Sequence, residues 1–213
     1  MENRRAIIFL NGKLPEEKLM SKYKVSQFYK ICADGAANSL IKTNISPDII
    51  LGDLDSITKD VSNYYKNKGI EILKISEQET TDFEKSLNYG ISEGFSDFII
   101  FGAISERPDH TFNNFSVAKR YYDSIKLLFI DTTFEIEFIT GKIKFDYRKN
   151  HTVSLLPFPL AEKVKTTGLK YKLNYEDLEL GVREGTLNVS SAKKVSIEFN
   201  SGDLLLFKKH FFR

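Results

Sequence analysis

The sequence predicts an α/β chain in two parts: an N-terminal parallel-sheet α/β domain over residues 1–124, then a C-terminal all-β sandwich domain over residues 125–213. Three observations carry this. Short apolar runs alternate with longer amphipathic stretches as far as Ser124. Beyond it, strand-like runs follow one another across glycine-containing turns with no convincing helical pattern. Strand-then-helix repetition is the pattern of a parallel sheet covered on both faces, and successive alternating runs are the pattern of packed antiparallel sheets. No Gly/Ser/Pro-rich stretch separates the halves, so they are expected to pack directly.

Taken in order, Ala6–Leu10 is a short apolar run stopped by Asn11 and Gly12, far too short for a signal-peptide core or a membrane span, and reads as a first buried strand. Pro15–Tyr23 follows as a helix. Phe28–Ala33 is a second strand, ended by Asp34 and Gly35, and Ala36–Lys42 a second helix. Asp48–Leu51 runs into Gly52, and Thr58–Lys68 starts on a capping threonine. Ile70–Ile75, Thr81–Glu93, Phe98–Gly102 and Thr111–Ser124 complete the alternation. In the second half, Ile125–Ile130, Phe134–Ile139, Val153–Leu156, Val195–Phe199 and Leu204–Phe207 read as strands.

Composition narrows the function. With 213 residues, 41% hydrophobic and 28% charged, the chain can bury a sizeable core. Its 31 basic and 29 acidic side chains leave a net charge of +2, too balanced for nucleic acid or an acidic membrane to be the main partner. Cys32 is the one cysteine, so no internal disulfide is possible and a reducing cytoplasm is the expected location. Gly90 to Gly94 matches the nucleophile-elbow pattern G-x-S-x-G around Ser92, but it closes a helix before a strand instead of joining a strand to a helix, which rejects a hydrolase site.

The acids carry the chemistry. Asp53 and Asp55 flank Leu54 just after the third strand, and a strand's period of two would point both to one side. At an effective dielectric of about 20, two charges about 4 Å apart repel by roughly 4 kcal/mol, so such a pair calls for a cation or a proton. Asp34 ends the second strand, Asp82 follows the fourth and Asp109 the fifth, so four consecutive strand ends bring acids to one edge of the sheet, where open α/β sheets bind ligands. Singly each has an ordinary reading: Asp34 as a turn residue, Thr81 with Glu84 as a capping box, Asp109 as a helix cap. Together they offer hard oxygen ligands without a Cys/His set, which suits Mg2+ completed by substrate phosphates. Arg107 and Lys85 are the candidate phosphate partners. Neither a Walker-type loop nor a G-x-G-x-x-G is present.

These fragments resemble the thiamine pyrophosphokinase family at Ala33–Asn38, Gly52–Ser56, Glu79–Lys85, Arg107–His110 with Asn113, and Thr167–Tyr171, all in the family's order. The resemblance implies an α/β nucleotide domain, a β-sandwich domain that binds thiamine, and a homodimer with the site at its interface. It implies transfer of the terminal pyrophosphoryl unit of ATP to the hydroxyl of thiamine. Carried over by position, Asp53, Asp55 and Asp82 would hold Mg2+ and act in catalysis. Asp34, Gln78, Thr81, Lys85, Arg107, Asp109, His110 and Asn113 would contact the nucleotide, and Asp82, Tyr171, Ser190 and Ser191 the thiamine. Either Asp82 or Asp55 would take the hydroxyl proton. The chain departs from the pattern at Ala103–Glu106, where the family often has more glycine, at Asn188–Ala192, which lacks an expected Ser-Asn pair, and in having no tryptophan to stack on thiamine. A related Mg-dependent transferase or nucleotidyltransferase on another alcohol, and a nucleotide- or thiamine-binding sensor without catalysis, remain as alternatives.

Overall fold

A computed structural model describes residues 4–210; residues 1–3 and 211–213, the extremes of the two expected domains, lie outside the described residues. The chain forms two compact units, Met1–Thr132 and Thr133–Arg213.

In the first unit, β1 (Arg5–Phe9), β2 (Tyr29–Ala33), β3 (Ile49–Gly52), β4 (Glu71–Lys74), β5 (Asp97–Phe101) and β6 (Lys126–Ile130) make a parallel sheet in the order β4-β3-β2-β1-β5-β6. All of Ala6–Phe9, Ile49–Gly52 and Asp97–Phe101 are buried, as strands covered on both faces must be. Burying each of Ile7, Ile8 and Phe9 contributes roughly 1.5–3 kcal/mol. The helices are α1 (Glu17–Lys22), α2 (Ala37–Leu40), α3 (Lys59–Asn67), α4 (Asp82–Ser92) and α5 (Pro108–Tyr121). Helix α4 buries Phe83 and Leu87 and packs across β1, β2 and β3. It ends at Ser92, with Gly94 at φ +82°, so the elbow-like glycines do close a helix.

Two expectations change. The parallel unit runs through β6, which pairs with β5 in parallel register from Asp97 opposite Lys126 to Phe101 opposite Ile130. The boundary drawn at Ser124/Ile125 therefore lies one strand too early: a five-residue apolar run carries no signal of its partner's direction, and only α5 as crossover helix decides it. Helix α5 also begins at Pro108 instead of Thr111, because proline suits a first helical turn.

The second unit is antiparallel, with β7 (Phe134–Ile139), β8 (Lys142–Asp146), β9 (Thr152–Thr167), β10 (Asn174–Glu179), β11 (Gly185–Val189), β12 (Lys194–Glu198) and β13 (Ser201–Lys209). Its main path runs β7-β13-β9-β12-β8, and β10 and β11 also pair with β9. The 16-residue β9 is the axis: β13 pairs with it from Val153 to Glu162, β11 with its first half, and β10 and β12 with its second half. Val153 and Leu155 from one half join Ala161 and Val164 from the other in a single core with Leu178, Ile197 and Leu204, so the sheet folds over itself. Among the described residues this unit has no helix.

Candidate active site

Strand order places the site. The chain adds β2, β3 and β4 on one side of β1, then β5 and β6 on the other, so the winding reverses between β1 and β5. Ligands of open α/β sheets bind outside the carboxyl ends at such a reversal. Here the segments after β1 and β5 are stitched together: Leu10 N donates to Phe101 O at 2.8 Å, Gly12 N to Gly102 O at 2.9 Å and Lys13 N to Ile104 O at 3.3 Å. A Cβ on Gly12 would lie 2.3 Å from Gly102 O, so only glycine allows this approach.

Above this edge opens a cleft of about 1050 Å³. Of the residues expected there, Asp53, Gln78, Thr81, Asp82, Lys85, Arg107, His110 and Asn113 line it. Asn11, Lys13, Ser56 and Glu106 line it too. The end of β1 carries no acid, and its central position is invisible without strand order, so reading along the chain for acids passes over Asn11 to Lys13.

The acids converge through a turn and not through strand alternation. Strand β3 stops at Gly52, and Leu54 adopts a left-handed φ of 69°, which a leucine rarely takes. Asp53 Oδ1 accepts from Asp55 N at 3.2 Å across this bend. Carboxylate oxygens of Asp34, Asp53 and Asp55 then lie within 4.8 Å of one another. Asp34 is fully buried; it accepts from Gly35 N at 2.6 Å and from Ser56 N at 3.4 Å. A Cβ on Gly52 would stand 2.7 Å from Asp34 Cγ, which explains the glycine ahead of the acid pair. Asn38 holds the two loops together, donating to Gly35 O at 3.2 Å and Ser56 O at 2.8 Å and accepting from Thr58 N at 3.0 Å. The set expected to hold metal was Asp53, Asp55 and Asp82; the carboxylates brought together are Asp34, Asp53 and Asp55, with Asp82 in the cleft beside them.

Electrostatics follows from this crowding. Burial pushes the Asp34 carboxyl above its usual range and the charges of Asp53 and Asp55 add to that, while its two backbone hydrogen bonds oppose it. Asp82 is also pushed up, by burial first and then by Asp34, with Lys85 opposing. Asp53 is held low, chiefly by the Asp55 N–H. Lys85, on α4, is 5% exposed and makes no ion pair among those of the described residues.

Helix α4 enters on Thr81, whose Oγ1 accepts from Glu84 N at 3.4 Å. Only that half of the expected capping box forms. Gln78 and Thr80 sit on the preceding loop, which Glu77 braces by accepting from Thr80 N at 2.8 Å and Thr80 Oγ1 at 2.5 Å. After β5, Ser105 N donates to Thr111 Oγ1 at 3.1 Å and Arg107 N to Ser105 Oγ at 3.1 Å. The amides of Ser105 and Arg107 are therefore already bonded to neighbouring side chains. Asp109 neither caps α5 nor lines the cleft: its carboxylate takes both arms of Arg107, at 3.2 and 2.5 Å, in the open. That pairing holds the Asp109 carboxyl low and the Arg107 guanidinium high.

In the second unit, Tyr171, Ser190 and Ser191 come together where the segments Gly168–Tyr171 and Asn188–Ser191 meet. Lys170 N donates to Val189 O at 2.8 Å and Ser191 N to Gly168 O at 2.7 Å. Tyr171 is 62% exposed, and its backbone is clamped by Asn188, which accepts from Tyr171 N at 3.1 Å and donates to Tyr171 O at 2.6 Å. Ser190 is buried; its hydroxyl donates to Arg148 O at 2.5 Å and accepts from His151 N at 3.0 Å. Ser191 is exposed.

The description "Thiamin pyrophosphokinase, catalytic domain" matches residues 20–129, the acid-bearing part of the first unit, and "Thiamin pyrophosphokinase, vitamin B1 binding domain" matches residues 140–204 in the second. The chain belongs to the thiamin pyrophosphokinase family. Thiamine pyrophosphokinase 1 of Arabidopsis thaliana is 29% identical, with 95% of this chain and 85% of that protein covered. Thiamin pyrophosphokinase 1 of Caenorhabditis elegans is 27% identical, with 91% and 85% covered. The crystal structure of thiamine pyrophosphokinase from Bacillus subtilis superposes with a TM-score of 0.85 at 22% identity over 98% of this chain and 100% of that one, a likeness of fold.

Proposed function

We propose that this family member transfers the terminal pyrophosphoryl unit of ATP to the hydroxyl of thiamine, releasing AMP. The observation that carries the proposal is one cleft, at the sheet's reversal point, in which Asp53 of the acid cluster faces Lys85, Arg107 and His110. Such a cleft suits a polyphosphate that brings its own counter-ion. A transferase for another alcohol and a sensor without catalysis are not favoured, because both the catalytic and the vitamin-binding parts of the family match this chain.

The donor set fits Mg2+: hard carboxylate oxygens within 4.8 Å, one buried, and no sulfur or imidazole in the cluster. Asp34, Asp53 and Asp55 would hold the ion, with Asp82 as the neighbouring acid. Bound there, Mg2+ would neutralise phosphate charge as the transferring group reacts. Lys85 and Arg107 would bind phosphate oxygens, Arg107 exchanging Asp109 for the nucleotide. Gln78, Thr81, His110 and Asn113 would orient it. Between Asp82 and Asp55, we assign the general base to Asp82, which lines the cleft and whose raised affinity for a proton suits it to take the thiamine hydroxyl proton. The hydroxyl oxygen then bonds to the β-phosphorus while the bond from that phosphorus to the α-bridging oxygen breaks, and AMP departs.

Thiamine would be held by the second unit through Tyr171 and Ser191. The Tyr171 ring faces a cation already, with Lys170 Nζ 5.2 Å from its centroid, so it suits a thiazolium in place of the absent tryptophan. With its hydroxyl occupied, Ser190 would shape the loop without donating to thiamine. A homodimer with the site at its interface is part of this reading; the exposed Val182 and Leu187 supply apolar surface for a second copy. Among the described residues no helix is long and apolar enough to cross a membrane, in keeping with the cytoplasmic location we propose.

Incubation with ATP, Mg2+ and thiamine is expected to give AMP and thiamine diphosphate in equal amounts, read by chromatography. ADP as product, or no turnover, rejects the proposal. Sedimentation is expected to give twice the chain mass. Tyr171→Ala is expected to raise the KM for thiamine roughly three- to tenfold, leaving that for ATP unchanged.

A further inference from the structure

The cleft takes Asp82 and Lys85 from the first turn of α4, and His110 and Asn113 from the start of α5. Between Asp82 and Lys85 stands Glu84. A capping box would turn its carboxylate back toward Thr81; it goes instead to the far end of α5. Glu84 Oε2 accepts from Arg120 Nη2 at 2.6 Å and Oε1 from Tyr121 Oη at 3.0 Å. The same Tyr121 Oη reaches Asn88 Oδ1, one turn further along α4, at 3.1 Å. None of these four residues lines the cleft.

Helix α4 does not need this link to exist. Thr81 caps it, and Phe83 and Leu87 anchor it in the core at 1% and 0% exposure. What the link adds is control of rotation. Glu84 lies about 200° round the helix from Asp82, and contacts at Glu84 and Asn88, four residues apart, grip one stripe of α4 over a full turn. The Glu84 side chain is only 13% exposed, so its charge is poorly screened and the grip is directional.

Resting on the nucleotide site proposed above, we infer that Glu84, with Arg120 and Tyr121, is a positioning unit that fixes the rotation of α4 and thereby where Asp82 and Lys85 present their charges to Mg-ATP.

The test uses Tyr121→Phe and Glu84→Gln in the full chain. Both are expected to melt within a few degrees of the parent, yet to lower kcat on the order of tenfold, since small misplacements of reacting groups are costly. The Mg2+ concentration for half-maximal turnover is expected to rise about threefold or more, as it would where outer supports of metal ligands are removed. In an Asp82→Asn background, where only Lys85 is left for the unit to place, Glu84→Gln is expected to lower kcat by a smaller factor than it does in the parent. Unchanged kcat and Mg2+ response, losses that track melting, or a Glu84→Gln effect that multiplies fully with Asp82→Asn would overturn the inference. Calorimetric titration with Mg2+ and a non-hydrolysable ATP analogue separates this from the fate of the proposed reaction. If the parent makes no thiamine diphosphate but Tyr121→Phe binds the analogue several-fold more weakly, the positioning role stands; equal affinities, or no binding by the parent, overturn it.

Discussion

At the amino edge of the parallel sheet, Asp97 at the start of β5 meets Arg5 on β1 at 2.7 Å, and Asp48 before β3 takes both the backbone N–H and the Nζ of Lys30, each at 2.7 Å. At the carboxyl edge, Asp34, Asp53 and Asp55 crowd within 4.8 Å of one another, and the one buried lysine nearby, Lys85, makes no ion pair among those of the described residues. The same residue type does structural work where its charge is matched inside the protein and stands crowded against its own kind where it is not. Desolvating and crowding acids costs stability, and Asp34 and Asp82 register that cost as raised proton affinity.

The contrast can be broken from either edge. Asp53→Asn or Asp55→Asn is expected to reduce thiamine diphosphate formation by about 10³-fold while the melting temperature changes little, since an amide oxygen can still accept the bond across the turn. Near-normal rates in both variants would remove the carboxyl edge from the chemistry. Gly52→Ala drives a methyl group to 2.7 Å from Asp34 Cγ. Overpacking there is expected to cost about 1–3 kcal/mol in denaturant unfolding and to displace the acid cluster, so activity should fall with stability. At the amino edge, Arg5→Met leaves Asp97 largely buried without its cation. A loss of about 1–2 kcal/mol is expected, moderated by the 40% exposure of the Arg5 side chain, with turnover per folded molecule unchanged. If Arg5→Met abolished turnover instead, the two edges would not be separable in this way.

The smallest effect expected is on pH dependence. The folded ligand-free protein holds a proton on Asp82 more tightly than the unfolded chain does, so this residue favours folding most below the ordinary carboxylate pKa. That contribution is lost as pH rises through the raised folded value. Asp82→Asn is therefore expected to gain stability relative to the parent as pH increases across that window, as followed by thermal melts without metal. A difference that stayed flat with pH would show that Asp82 is not desolvated as described.

Much of the molecule was legible along the chain. Phe134–Ile139 forms the strand its alternation announces, and Thr81 caps the helix expected after it. The acids at successive strand ends reached one edge because parallel strands leave them no other. Other features were not legible for definite reasons. The 16-residue β9 runs through Pro157 and Pro159, residues that usually demote a strand, because the pairings that accommodate them are long-range. Glu84 satisfies a local capping pattern and yet bonds to Arg120, 36 residues away.

Composition, hydrophobic period and the order of short polar fragments thus determined the α/β-then-β architecture, the acid-rich edge and the kinship with a diphosphotransferase family, because each is set by neighbours within a few residues. Only the tertiary structure decided that β6 belongs to the first unit, that the winding reverses at β1 and brings Asn11 to Lys13 into the cleft, and that Asp34 joins Asp53 and Asp55 through a left-handed Leu54. Those outcomes depend on which distant strands pair and how closely two backbones approach, and no local pattern encodes either.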